Sequence, residues 1–152
     1  MMHATDDDNP PQAPTRMAWA DWVKWAARFR IYEDECKEMT RFFHEIGLVQ
    51  HYDVAGLRDL VILEASWLIE RITDLVHAYG YHTRPKDEEL KVKHPQWFAD
   101  LTNGTITPGV VDFVWSDLNE SEREACLGIL ELFHLIVPLR SKAAIAGIFL
   151  FI

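Results

Sequence analysis

Long apolar runs, paired cysteines, clustered positive charge and the written signatures of catalysis are all missing from this sequence. Each absence closes off a class of function. A bilayer span needs roughly 20 consecutive apolar residues. The longest run here, Ala143 to Ile152, falls well short and reads as a core segment or the edge of a longer chain. Only two cysteines occur, Cys36 and Cys126, far apart in the chain, so no disulfide framework or thiolate metal site is written in the sequence. Both thiols are expected to be reduced and buried as small hydrophobes. Residues 1–15 (MMHATDDDNPPQAPT) are acidic and proline-rich where a secretory leader would be basic and then apolar, which points to the cytoplasm. Lys and Arg total 15 against 24 Asp and Glu, a formal charge of −9. Gripping duplex DNA through its phosphates requires clustered cations, so duplex DNA is not an expected partner. There is no Gly-rich phosphate loop, no Cys-x-x-Cys, no His-Glu-x-x-His and no nucleophile elbow, and no cofactor is expected.

What is present is apolar, aromatic and periodic. Hydrophobic residues make up 49% of the 152 residues, with six Trp and eight Phe, enough for one core of ordinary size. Residues 1–15 carry little that packs and are expected to be a disordered tail, leaving residues 16–152 as a single helical bundle domain. From Trp19 onward, Trp22, Trp25, Phe29, Tyr32, Cys36, Met39, Phe43 and Ile46 recur at steps of three and four. That spacing predicts one long helix with a continuous apolar stripe, closed by Gly47 in a left-handed cap. A second long helix is predicted from Asp53 to Tyr79, with Asp53 and Gly80 as its caps. Residues 81–112 break the periodicity with Pro85, Pro95, Pro108, Gly104 and Gly109. A short fourth helix from Pro95 to Asn103-Gly104 is one reading, and a hairpin closed by the same Asn-Gly is the other. A last long helix is predicted to start at Asn119 or Ser121, each with a glutamate three residues on as in a capping box. Pro138 would kink it. The expected fold class is therefore all-α: three long helices, an irregular excursion and room for a short fourth.

Three constellations could carry chemistry. An acid three residues before a histidine occurs at Asp74 and His77 and again at Glu131 and His134. On a helix that spacing puts both groups on one face, as carboxylate-bridged metal bundles require, with Glu64 and Glu38 as the further acids such a site would recruit. Glu64 also shares an apolar stripe with Leu57, Val61 and Leu68, with Arg71 two turns on; a carboxylate on a buried face must be paired, neutral or functional. The third is the acidic run Glu33-Asp34-Glu35 with Glu38. It lies in the middle of the predicted first helix, where no helix-dipole argument accounts for it, so it is the candidate docking face for a basic protein partner.

The stretch ELFHLIVPLRSKAAIAG (131–147) resembles the final helix of HEPN domains, and LEASWLIERITD (63–74) resembles their central helix. The resemblance implies a small helical ribonuclease of toxin–antitoxin or phage-defence systems, with Arg140 in the place of the family's catalytic arginine and RNA as substrate. Ser141 stands where an asparagine often follows, and no histidine comes after it. The resemblance therefore implies an inactive or altered relative, unless Arg71 and His77, which have the right separation on another helix, serve instead. Beside this stands the reading that the residues themselves favour: a small acidic protein that works by binding another protein, in the manner of inhibitors, immunity proteins and antitoxins. A homodimer seam along Ile148–Ile152 is a further expectation.

Overall fold

The computed structural model describes residues 13–76, 84–139 and 148–151. Its architecture turns on a three-residue stretch, Leu60-Val61-Ile62, which is apolar at every position and forms strand β3 (Leu60–Ile62). Strands β1 (Arg16–Ala18) and β2 (Gln50–His51) pair antiparallel with its two edges, so that Met17 and His51 both lie opposite Val61. Successive side chains on a strand point to opposite faces. Val61 accordingly joins a smaller core with Trp22, Ala26, Cys36 and Val49, while Leu60 and Ile62 join a larger one. All three are buried, which explains a run without polar alternation.

The smaller core is covered by α1 (Trp19–Ala27) and α2 (Glu33–Glu45). The indole Nε1–H of Trp22 donates to the Thr40 hydroxyl at 2.7 Å, and that hydroxyl donates to the Cys36 carbonyl at 2.7 Å. These two bonds satisfy the polar atoms that would otherwise be stranded where the helices cross. The long helix expected from Trp19 to Ile46 is thus two helices. The break falls at Arg30, which adopts a left-handed backbone (φ 62°). Arg30 N–H donates to Ala27 O and Ile31 N–H to Ala26 O, the paired bonds of a Schellman cap. Gly47 (φ 76°) closes α2 in the same way, as the sequence predicted, through Gly47 N–H to His44 O and Leu48 N–H to Phe43 O.

The larger core is built from α3 (Ala65–Leu75), α4 (Pro85–Lys93), α5 (Pro95–Thr102), α6 (Pro108–Val114) and α7 (Glu120–Leu132), packed around Trp115, Leu75, Leu90, Leu101, Ile129 and Leu130. Among the described residues the second predicted helix is realised from Ala65 to Leu75, because its first part is the 53–59 turn region and β3; Tyr79 and the Gly80 cap lie outside the described residues. The 81–112 stretch is not an irregular excursion where it is described. Pro85, Pro95 and Pro108 each occupy the first turn of a helix, where the missing N–H costs nothing and φ is preset. Residues 110–115 (VVDFVW) lie mostly in α6. The Asn119–Glu122 capping box forms as expected, with Glu122 N–H to Asn119 Oδ1 at 2.9 Å and Asn119 N–H to Glu122 Oε2 at 3.1 Å. That last helix stops at Leu132, because His134 takes the left-handed position (φ 57°) of another Schellman cap. Beyond it, β5 (Ile136–Leu139) is extended, and Pro138 sits in an edge strand rather than at a helix kink. The second sheet runs in the order β4 (Thr105–Ile106), β6 (Ile148–Phe151), β5.

The protein is mainly helical, with seven helices among the described residues, but two three-stranded antiparallel sheets replace the purely all-α bundle. Residues 1–12 of the expected tail lie outside the described residues. Thr15, at its end, belongs to the fold, since its carbonyl accepts from Leu63 and Glu64 N–H. No described helix is long and apolar enough to cross a membrane. Cys36 and Cys126 are both buried free thiols, and burial pushes the Cys126 thiol up to about 12, so it is inert near neutral pH.

Two measurements test these joints. Thr40→Val should leave the buried Trp22 N–H without an acceptor and cost about 1–3 kcal/mol in urea denaturation, with Thr40→Ser recovering most of it. The second concerns the bridge from Arg16 Nε to Glu122 Oε1 (2.5 Å), which ties β1 to α7 while Arg16 lies 4.7 Å over the Trp67 ring. Burial raises the Glu122 carboxyl, but hydrogen bonds from Arg16 and the Asn119 backbone, with the Arg16 charge, hold it below its ordinary value. A carboxyl lowered by folding contributes its full stability above its unfolded value, and loses it as pH falls through the folded one. Glu122→Gln should therefore cost about 1 kcal/mol at pH 7, with the gap to wild type closing below about pH 4.

Candidate functional site

The carboxylate–histidine constellation is only partly assembled. Glu131, at the end of α7, and His134, just beyond it, line one groove of about 590 Å³ with Leu57, Ile136 and Val137. Asp74 is on α3 and does not line that groove. Its carboxylate takes ion pairs from Arg71 (3.4 Å) and Arg84 (3.1 Å). Burial is the largest influence on Asp74 and raises its carboxyl above the ordinary value, against the pull of Arg71 and Arg84. His77 lies outside the described residues, and among the described residues no three His, Cys, Asp or Glu side chains gather as a metal site would require.

Arg71 is largely buried and held on both sides. Its guanidinium pairs with Asp74 and reaches both oxygens of Asp117 (3.0 and 3.3 Å), and its carbonyl accepts from Trp115 Nε1 at 3.2 Å. It clamps α3 to the turn between α6 and α7. Arg140 lies outside the described residues, as does the rest of the HEPN-like stretch beyond Leu139; its described part is helical to Leu132 and extended from Ile136 to Leu139. Glu64 is exposed at the start of α3, where it accepts from the Ser66 hydroxyl at 2.6 Å, so it poses no buried-charge problem.

The acidic run does not lie mid-helix: Glu33, Asp34 and Glu35 form the first turn of α2, where the helix dipole favours negative charge, and the charges are also answered within the chain. Lys37 lies 3.5 Å from Glu33 and 3.9 Å from Asp34, Arg41 lies 2.6 Å from Glu38, and Glu35 accepts the Tyr32 N–H. Glu33 and Glu38, with Lys37, Arg41 and Arg58, line a cleft of about 640 Å³, in which His51 stacks on Trp19 at 4.7 Å between ring centres. The cleft is mixed in sign rather than acidic.

The surface that stands out lies next to it, at the α1–α2 turn. On α1, Trp22 and Ala26 point into the smaller core, and that leaves Trp25 and Phe29 facing out. Trp25 is 40% exposed, Phe29 62% and Tyr32 64%. The first two are in contact: the Trp25 ring stacks on Trp22 at 5.2 Å and meets the edge of Phe29 at 5.1 Å. Arg28 and Arg30 stand exposed on either side of Phe29 in sequence. The sequence reading placed Trp25, Phe29 and Tyr32 on a buried stripe because it carried the helix through the turn. The local alternation Arg28-Phe29-Arg30-Ile31, which has a period of two, was the available sign that the chain leaves the helix there.

No family model matches the chain, and no solved structure does. Two proteins of Dictyostelium discoideum resemble part of it. The probable serine/threonine-protein kinase roco11 is 36% identical over 46 residues, which is 30% of this chain and 3% of that protein. The probable serine/threonine-protein kinase qkgA is 36% identical over 42 residues, 28% of this chain and 3% of that protein. The likeness therefore spans a small fraction of either kinase. This chain has no G-x-G-x-x-G and no D-F-G. Leu57-Arg58-Asp59-Leu60 keeps three letters of the kinase H-R-D-L loop, but Leu57 replaces the histidine and Glu64 stands where the metal-binding asparagine belongs. Arg58 pairs with Asp53 at 3.7 Å, and Leu60 is buried in β3.

An arginine in the left-handed region carries a backbone cost that glycine avoids. Arg30→Gly should raise stability by about 0.5–1 kcal/mol in urea denaturation, the sign expected of a residue retained for its side chain rather than for the fold.

Proposed function

We propose that this chain is a protein-interaction module that docks a partner protein through the aromatic surface at the α1–α2 turn. The observation that carries this reading is the exposure of Trp25, Phe29 and Tyr32 together, beside Arg28 and Arg30. Trp, Tyr and Arg are the residues most enriched where a few side chains supply most of an interface's energy. An exposed aromatic surface is also a liability for a chain that leaves it uncovered. The partial likeness to two long kinases is compatible with this reading, since it covers 3% of each and this chain carries neither the Gly-rich loop nor the D-F-G of a kinase.

The test is affinity capture from the native host with the full chain, comparing wild type with Phe29→Ser/Tyr32→Ser. Both side chains are exposed, so the double variant should keep the wild-type circular dichroism and melting temperature. A protein retained in stoichiometric amount by the wild type should bind the variant at least about tenfold more weakly. Equal retention by both would overturn the assignment of this surface.

A further inference from the structure

Resting on that docking reading, we infer that the α1–α2 surface takes an acidic segment of its partner, with Arg28 and Arg30 as the carboxylate-binding pair beside the aromatics. Acids outnumber bases in this chain, and nearly every described cation has an answer within it. Arg16, Lys24, Lys37, Arg41, Arg58, Arg71, Arg84, Lys86, Lys93 and Arg123 each lie within 4.0 Å of a carboxylate. Lys91 lies over the Phe98 ring. Among the described residues Arg28 and Arg30 alone have neither, although Glu33, Asp34 and Glu35 follow within a few positions. Those acids are engaged instead by Lys37 and by the Tyr32 N–H.

The position of Arg30 adds a second argument. Gly47 fills the equivalent left-handed cap of α2 at no steric cost, whereas α1 places an arginine there. A guanidinium offers a planar fork that matches a carboxylate with two parallel hydrogen bonds. Two such forks beside Trp25, Phe29 and Tyr32 suit a segment in which acidic and apolar side chains alternate.

The probe is a short synthetic peptide alternating Glu with Leu, titrated into the full chain at low salt and followed by calorimetry, with a Lys–Leu peptide as its counterpart. The Glu–Leu peptide should bind and weaken with added salt, and the Lys–Leu peptide should not bind. Arg28→Glu/Arg30→Glu should weaken the acidic peptide by about tenfold or more, and Arg28→Lys/Arg30→Lys by less. Equal binding of the two peptides, no binding of either, or an affinity unchanged by the double charge reversal would overturn the inference. So would phosphatidylserine vesicles that bind the chain through the same arginines in place of the peptide, or a homodimer that the charge reversal disrupts. A captured partner that depends on Phe29 and Tyr32 but not on Arg28 and Arg30 would leave the docking reading standing and remove the acidic one.

Discussion

Strand β3 is the constraint on which the rest of this structure hangs. With three residues it serves two cores at once, because the pleat sends Val61 one way and Leu60 and Ile62 the other. It is also the middle strand of its sheet, so its backbone groups are satisfied by β1 and β2 while both faces are covered. Everything that positions the smaller core refers back to it. The carbonyl of Asp59, the residue before β3, accepts the Trp19 N–H that starts α1, and the N–H groups of Leu63 and Glu64 close onto Thr15. An unpaired polar residue at position 61 would be buried in the smaller core, at a cost of several kcal/mol.

That strand was not legible in the sequence, for a physical reason. A strand buried on both faces has no period-two alternation and reads like the interior of a helix, and Leu57, Val61 and Leu68 even mimic a helical stripe around it. The helix ends fell into two groups. Where the terminating residue is the one that chemistry favours, as at Gly47 or Asn119 with Glu122, the sequence predicted the boundary. Where the same Schellman geometry is imposed on Arg30 and His134, no residue type announced the stop. The predicted helices accordingly ran on through residues 28–32 and through Pro138. Pro95 opens α5 as the short-helix reading expected, but Pro85 and Pro108, taken only as breaks in the periodicity, start α4 and α6 in the same way.

The candidate site inherits these errors. Trp25, Phe29 and Tyr32 share one stripe only if a single straight helix carries them; α1 ends before Phe29, and on α1 itself Trp22 and Ala26, not Trp25, face the core. The described charged candidates sit in environments that the sequence did not disclose. Arg71 proved to be a clamp between α3 and the α6–α7 turn, and the acids of α2 face lysine and arginine of their own helix. Such pairs at three- and four-residue spacing could have been read from the sequence, but whether the acids outnumber the cations on one face depends on which residues that face gathers.

The exposed aromatics gain meaning from what the fold forgoes by exposing them. Burying one large aromatic side chain is worth about 1.5–3 kcal/mol, and among the described residues the smaller core has five buried hydrophobic members to hold α1 and α2 against β3. Rotating α1 by a fraction of a turn would bring Trp25 inward, but the bond from Trp22 Nε1 to Thr40 fixes that rotation. The hydrogen bond that makes the small core specific is therefore the same one that keeps Trp25 and Phe29 at the surface. Arg30 then completes the arrangement by its left-handed turn just past α1, so that Phe29 and Tyr32 lie beyond the helix rather than on a further turn of it. Orientation, termination and exposure at this surface thus trace to two residues, Thr40 and Arg30, neither of which is itself aromatic.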